Sequence, residues 1–469
     1  MYQLINSIIH EFRGCFKRIK TWQWFVVLII GFMIRSDHRG VTSVVSSLKL
    51  KPKLYHTLLH FFRSTAYKVE TLYDKWIRIA VKSCAVKTIA GRVVLLGDHS
   101  KVSKEGRRMP GIQAMHQESQ NSGKPSFIEG HNFGQVSAVV TNGIISRALP
   151  LITEIQASPP RKEGTKEPNG DTLVTQMVKL VHKAAGSIDE PVVVALDAYF
   201  SSAAAWVAAD NTAAETGERQ VEIVTRAQSN TVAYTVPEPP ETKKRGQPRK
   251  YGDKIVLYNH FSDMSEFKQN TMTLYGKQTK VRYQCLDLIW RPVKRLVRFV
   301  IVETSSGRCV LMSTSLTLSP EEIIEIYALR FKIETSFAEQ KNDMGCFSYH
   351  FWTTALPKRT KWKRTEAPVE TNIQKKIEEA KHATESFVCL CTIATGILSI
   401  IAFSHNREIW NRYPGWIRTL RSAIPTVATV KVVLAQDFHA FLLLHPHLPI
   451  CSIIKFRQRQ NDFCFQDIA

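Results

Sequence analysis

Two short apolar runs along the chain end in an aspartate. One is Arg92-Val93-Val94-Leu95-Leu96-Gly97-Asp98-His99, the other Pro191-Val192-Val193-Val194-Ala195-Leu196-Asp197-Ala198-Tyr199. Valine- and leucine-rich runs of this length predict buried central strands, and open α/β sheets place ligands at the carboxyl ends of such strands. A third element is helical. Ser319-Pro320-Glu321-Glu322 supplies an N-cap, a proline for the first helical position and acids for the first turn. At roughly 100° per residue, Arg330, Glu334 and Lys341 fall within about 60° of Tyr327 on one face of that helix.

Around these lie further patterned segments. Strands are predicted at about 92–98, 133–142 and 144–152, a helix over Thr172–Ala185, another over Ser201–Ala209, and a strand over Val221–Arg226. Between Ala227 and Leu318 β-type runs dominate: Lys254–Tyr258, Met272–Leu274, Lys280–Ile289 and Arg295–Glu303. Residues 1–90 read as helical and basic. There, Val41–Leu48 and Lys53–Arg63, separated by Lys49-Leu50-Lys51-Pro52, have the form of a helix-turn-helix. Ser386–Phe403 is almost wholly apolar and predicts a covering helix. The run from Trp22 to Ile34 is too short to span a bilayer and no small-residue cleavage site follows, so a buried helix is expected and no membrane partner.

Composition adds a partner class. The 469 residues carry 63 Lys+Arg against 41 Asp+Glu, a formal charge of +22, which predicts a polyanionic partner. Nine cysteines without CxxC pairs argue against a zinc site or a disulfide framework and suit reduced thiols in a cytoplasm. Basic clusters stand at Lys101, Lys104, Arg107 and Arg108, at Lys243–Lys250, and at Lys358–Arg364. In the second, Arg245-Gly246-Gln247-Pro248-Arg249 has the Gly/Pro-punctuated arginines that can enter an A·T-rich minor groove. Trp290, beside Arg291, is a candidate platform for an unstacked base, with Trp352 second.

Two strand-end aspartates and a helix glutamate can hold two Mg²⁺ ions about 3.5–4 Å apart for in-line displacement at phosphorus. The order Asp98, Asp197, Glu334 resembles the DDE triad of bacterial insertion-sequence transposases. Tyr327, Arg330, Glu334 and Lys341 match the Tyr-x2-Arg-x3-Glu-x6-Lys signature of one cut-and-paste group. The stretches Arg107–Gly111, His116-Gln117, Ser119–Asn121, Gly130-His131 and Tyr349–Trp352 resemble it as well. The resemblance covers roughly residues 90–355.

It implies an α/β fold: an RNase H-like mixed-sheet core (91–226 and 319–355) interrupted by a β-rich insertion (227–318). A helical DNA-binding region (1–90) and a helical C-terminal region (356–469) that could mediate dimerisation flank it. It further implies Asp98, Asp197 and Glu334 as catalytic metal ligands for Mg²⁺, with Mn²⁺ substituting. DNA contacts would fall to Tyr327, Arg330, Lys341, Arg107, Arg108, Arg245, Arg249 and Trp290. The partners would be double-stranded DNA, as terminal inverted repeats and target, and a second protomer in a synaptic complex. The location implied is a bacterial cytoplasm, at the nucleoid. Two alternatives stay open: an RNase H-like nuclease without strand transfer, and a catalytically inactive DNA-binding relative.

Overall fold

The computed structural model describes the chain except for residues 39, 105–107, 117–122, 124–125, 160–169, 217–220, 238–248, 357–370, 417–421 and 459–469. Helices α1 (Tyr2–Glu11), α2 (Ile19–Ile34), α3 (Val41–Ser47), α4 (Leu54–Arg63) and α5 (Val69–Ser83) come first. The apolar run expected to be a buried helix is α2, enclosed from Phe25 to Ile34. The Lys49–Lys53 break separates α3 from α4, and Lys49 takes a left-handed φ of 54° there.

The sheet follows: β1 (Thr88–Ile89), β2 (Arg92–Ser103), β3 (Gln113–His116), β4 (Phe127–Thr141) and β5 (Ser146–Gln156), then α6 (Leu173–Ala185), β6 (Val192–Leu196), α7 (Ala203–Thr216) and β7 (Glu222–Arg226). In β5–β4–β2–β6–β7, the first three strands pair antiparallel, while β2, β6 and β7 run parallel. This is the mixed five-stranded RNase H-like core, with the αβ crossovers that parallel pairs require.

The insertion supplies β8 (Val232–Tyr234), β9 (Lys254–Val256), β10 (Lys268–Leu274), β11 (Lys277–Trp290), β12 (Arg295–Thr304) and β13 (Gly307–Ser313). It does not stand apart from the core. β13 pairs antiparallel with β7 through Leu311↔Arg226, so both parts form one continuous 13-stranded sheet among the described residues. The sequence reading ended its last insertion strand at Glu303. The turn residues Ser305-Ser306-Gly307, with Gly307 at φ 141°, send the chain back as β13 instead.

The expected single helix from Pro320 to Lys341 is corrected. Ser319 and Glu322 form a capping box at the start of α8 (Pro320–Leu329), but the helix tightens at Arg330, whose N–H donates to the Tyr327 carbonyl. α9 (Lys332–Ala338) then passes into a π-helical turn over Glu339–Asp343. The wider turn takes Lys341 off the α-helical register that aligned it with Glu334.

α10 (Thr371–Ser404), α11 (Asn406–Arg412), α12 (Val427–Leu444) and α13 (Pro449–Lys455) complete the chain. By length and composition α10 and α12 could each cross a membrane. The apolar C-terminal part of α10, however, is nearly all buried inside the protein, and α10 packs against α2, α4, α5 and β5, while its N-terminal turns to Lys381 are largely exposed and α12 is half buried. Phe387 of α10 packs against Phe32 of α2 and Phe62 of α4 at ring distances of 5.0 and 5.5 Å. The N- and C-terminal helices therefore share one hydrophobic core.

Candidate active site

Register brings the two aspartates together. Parallel pairing of β2 with β6 ends at Gly97↔Leu196, and the next residues are Asp98 and Asp197. A Cβ on Gly97 would stand 2.6 Å from Leu196 Cδ2 and 3.2 Å from Met177 Sδ, so glycine lets β2 and α6 approach closely at this point. Asp98 accepts the His99 N–H at 2.7 Å, and the Asp197 carbonyl accepts from Thr225 Oγ1 at 2.8 Å. The His99 ring donates Nε2–H to Gln156. Burial holds its pKa down to about 4, so it stays neutral.

The third carboxylate arrives on α9. Gln135 sits opposite Asp98 in the β2–β4 ladder and donates from Nε2 to Ser137 Oγ and Ser336 Oγ, each at 2.8 Å. This buried bridge fastens α9, and with it Glu334, over the strand ends. Beyond it, the Arg35 guanidinium donates to the Met344 and Gly345 carbonyls and Lys431 to the Asp343 carbonyl. His38 Nε2 bonds the same Asp343 carbonyl at 3.1 Å. These long-range bonds hold the π-turn in place.

Arg330 lies in the midst of the carboxylates. Its Nη1 is 3.1 Å from Asp98 Oδ2, its Nη2 3.1 Å from Glu334 Oε1, and its Nε 4.0 Å from Asp197 Oδ1. Burial opposes the guanidinium charge, but Asp197 and Asp98, with Glu334, outweigh it and raise its pKa. Burial pushes Asp98 up to about 6, with Asp197 and Glu334 adding to the rise and the His99 N–H and Arg330 opposing it. Burial likewise takes the Tyr327 phenol to about 12.

The donor set is all carboxylate oxygen, which suits hard divalent cations such as Mg²⁺ or Mn²⁺. Among the described residues, however, no three His, Cys, Asp or Glu side chains are gathered closely enough to hold a metal as they stand. The cation they share is Arg330.

Other expected residues are distributed differently. Trp290 is corrected as a base platform: only 7% exposed, it meets Trp206 edge-on at 5.3 Å, leaving no face for a base. Trp352 is 60% exposed. Lys104 turns inward over the Tyr349 ring at 3.9 Å, donating to the Phe347 and Tyr349 carbonyls, and burial lowers its pKa to about 8. His131 Nε2 donates to the Pro110 carbonyl at 2.7 Å and its Nδ1 accepts from Tyr349. The resembling Gly130-His131 and Tyr349 stretches thus brace the Pro110 loop. Arg108 is half-buried, Arg249 and Lys341 are exposed, and Arg107 and Arg245 lie outside the described residues.

A feature the sequence reading missed lies beside the carboxylates. A cleft of about 670 Å³ runs between α8 and the β10–β11 and β12–β13 hairpins, lined by Arg226, Tyr275, Lys277, Arg308 and Tyr327 with no acidic residue. Its parts are far apart in sequence, and only pairing of β13 with β7 assembles them.

The family model described as "DDE superfamily endonuclease" matches residues 11–285. That is more than half of the chain and includes Asp98 and Asp197, while Glu334 lies beyond it. No curated protein matches. Among solved structures, the NurA nuclease from Sulfolobus solfataricus aligns at 10% identity over 60% of this chain and 86% of that one, with a TM-score of 0.22, too low to mark a shared fold. With the family match joined to a mixed core sheet bearing aspartates on adjacent strand ends, this chain belongs to the DDE superfamily endonucleases.

Proposed function

We propose that this chain is a bacterial insertion-sequence transposase of the cut-and-paste group, cleaving DNA at the element's terminal inverted repeats and joining the freed 3′ ends to target DNA. The observation that carries the reading is the convergence of Asp98, Asp197 and Glu334 on one guanidinium, beside an acid-free basic cleft. The residues of the Tyr-x2-Arg-x3-Glu-x6-Lys signature supply three members of that neighbourhood: Tyr327, Arg330 and Glu334.

Asp98, Asp197 and Glu334 would hold the divalent metal, Mg²⁺ or Mn²⁺, which when bound supplies Lewis-acid activation of the attacking oxygen and charge relief at phosphorus. Arg330 and Tyr327 orient the phosphate beside the carboxylates. Arg226 and Lys277 guide the DNA backbone along the cleft, at whose edge Arg308 is already paired with Glu303. With its N-cap residue, α4 presents Lys53, His56, His60 and Arg63 on an exposed stripe, a surface suited to sequence recognition by a helix-turn-helix. A second protomer and the helices beyond residue 356 would complete the synaptic complex.

The test is strand joining. Given precut element ends and a supercoiled plasmid with Mg²⁺, the protein should join 3′-OH ends to the plasmid without ATP. Asp98→Asn, Asp197→Asn and Glu334→Gln should each abolish joining by orders of magnitude while retaining DNA binding. Nicking or degradation alone, under every Mg²⁺ or Mn²⁺ condition, would establish the nuclease reading instead.

A further inference from the structure

We infer that Arg330 is an internal counter-ion that keeps the three carboxylates assembled in the metal-free protein and must leave them, for a DNA phosphate, when metal enters. The inference rests on the active-site reading above and concerns how that site is loaded.

The contact geometry is one nitrogen per carboxylate. Nη1 faces Asp98, Nη2 faces Glu334 and Nε faces Asp197, so no carboxylate of the triad is left without the shared cation. Three acids near one point repel one another, and Arg330 removes that repulsion without a metal. The same arrangement excludes a metal. Mg²⁺ needs carboxylate oxygens at about 2.0–2.1 Å, whereas these oxygens are spread around a planar guanidinium at 3.1–4.0 Å. Metal and guanidinium therefore compete for one set of ligands and repel each other as like charges.

Access and destination are both visible. The Asp197 and Glu334 side chains are 44% and 47% exposed, against 17% for Arg330, so an ion can reach the carboxylates from the solvent side. Arg330 stands at the break between α8 and α9, next to the cleft that holds Tyr275, Tyr327 and Arg226. The lining of that cleft holds cations and no acid, and Glu303 beside it is already shared by Arg282 and Arg308, so an expelled guanidinium finds no free partner there until a phosphate arrives. Metal loading without DNA is thereby opposed, and DNA phosphate and metal should bind cooperatively, each favouring the state in which Arg330 has turned outward.

Counting free Mn²⁺ by electron paramagnetic resonance during titration of the full chain tests this. Arg330→Ala should bind Mn²⁺ about tenfold or more tightly than the unmodified protein, within the usual range of coupling between sites. Arg330→Lys, which keeps a cation, should fall between them. A short DNA duplex should tighten Mn²⁺ binding to the unmodified protein severalfold and to Arg330→Ala much less. Should Arg330→Ala fail to fold, Arg330→Gln carries the same comparison. Equal or weaker Mn²⁺ binding after loss of the guanidinium, or equal tightening by DNA in both proteins, would overturn the inference while leaving the metal site standing. Undiminished Mn²⁺ binding by Asp98→Asn would instead overturn the site reading itself.

Discussion

Glu339 follows Glu334 on the same segment yet faces a different environment. Burial is the main cause that lifts its carboxyl to about 7; Asp343 adds to the rise, and Arg147 and the Val427 N–H oppose it. Arg147 is only a partial partner, because its guanidinium donates to the Pro425 and Ile424 carbonyls at 2.6 Å each. Glu339 thus sits where the π-turn meets β5 and the start of α12. Its folded pKa lies above the ordinary unfolded value of about 4.3. The native state then binds the proton more tightly, so its contribution to stability is complete below about pH 4 and is lost as pH rises through 7. Glu339→Gln should match the parent protein near pH 4 and gain in melting temperature by about 2–4 °C near pH 8. A difference that stays flat or shrinks between those pH values would remove Glu339 from this role. At this scale the sequence was most informative where residue type dictates chemistry: it singled out Asp98, Asp197, Glu334 and Arg330, side chains that the structure brings together. It was least informative where burial decides, and so Trp290, beside Arg291, looked available although Trp206 covers it.

Helices and strands show the same division. The Ser319–Glu322 cap, the two aspartate strands and the two helices on either side of Lys49–Lys53 follow from local propensity and were found close to their positions. The break at Arg330 and the π-turn carry no proline or glycine to announce them. The π-turn is held by bonds from Arg35, His38 and Lys431, residues remote in sequence, and Arg330 at the break is held by Asp98 across the site. A comparable long-range constraint governs α10. A Cβ on Gly396 would lie 2.0 Å from Trp76 Cζ2 and 2.7 Å from Cη2. Trp76 cannot easily withdraw, since it is fully buried on α5 and donates Nε1–H to the Pro150 carbonyl at 3.0 Å. Gly396→Ala gains about 1 kcal/mol of helix propensity but forces overpacking that costs about 1–3 kcal/mol. The expected net result is a lower urea midpoint with an unchanged slope. A midpoint at or above the parent's would show that α5 and α10 part without cost.

Across the whole molecule, the continuous sheet determines where the net charge of +22 is used. Joining β13 to β7 carries Arg226 on the core and Lys277 on the insertion hairpin to one cleft next to Asp197 and Glu334. Each cation that neutralises a phosphate releases condensed counter-ions, so log affinity should fall with log salt at about −0.9 per contact. With six or more contacts, affinity for a duplex would drop about a thousandfold or more between roughly 50 and 200 mM salt. Arg226→Ala with Lys277→Ala removes two of those charges and should reduce the slope by about 2, weakening all sequences alike because phosphates carry no base identity. Arg249→Ala is the contrasting case. A loss confined to A·T-rich duplexes would assign it to the minor groove, and a uniform loss to the backbone. A slope unaltered by the Arg226 and Lys277 changes would place the DNA elsewhere than the cleft, and the carboxylates would then need a substrate path from the opposite, β5 side of the sheet.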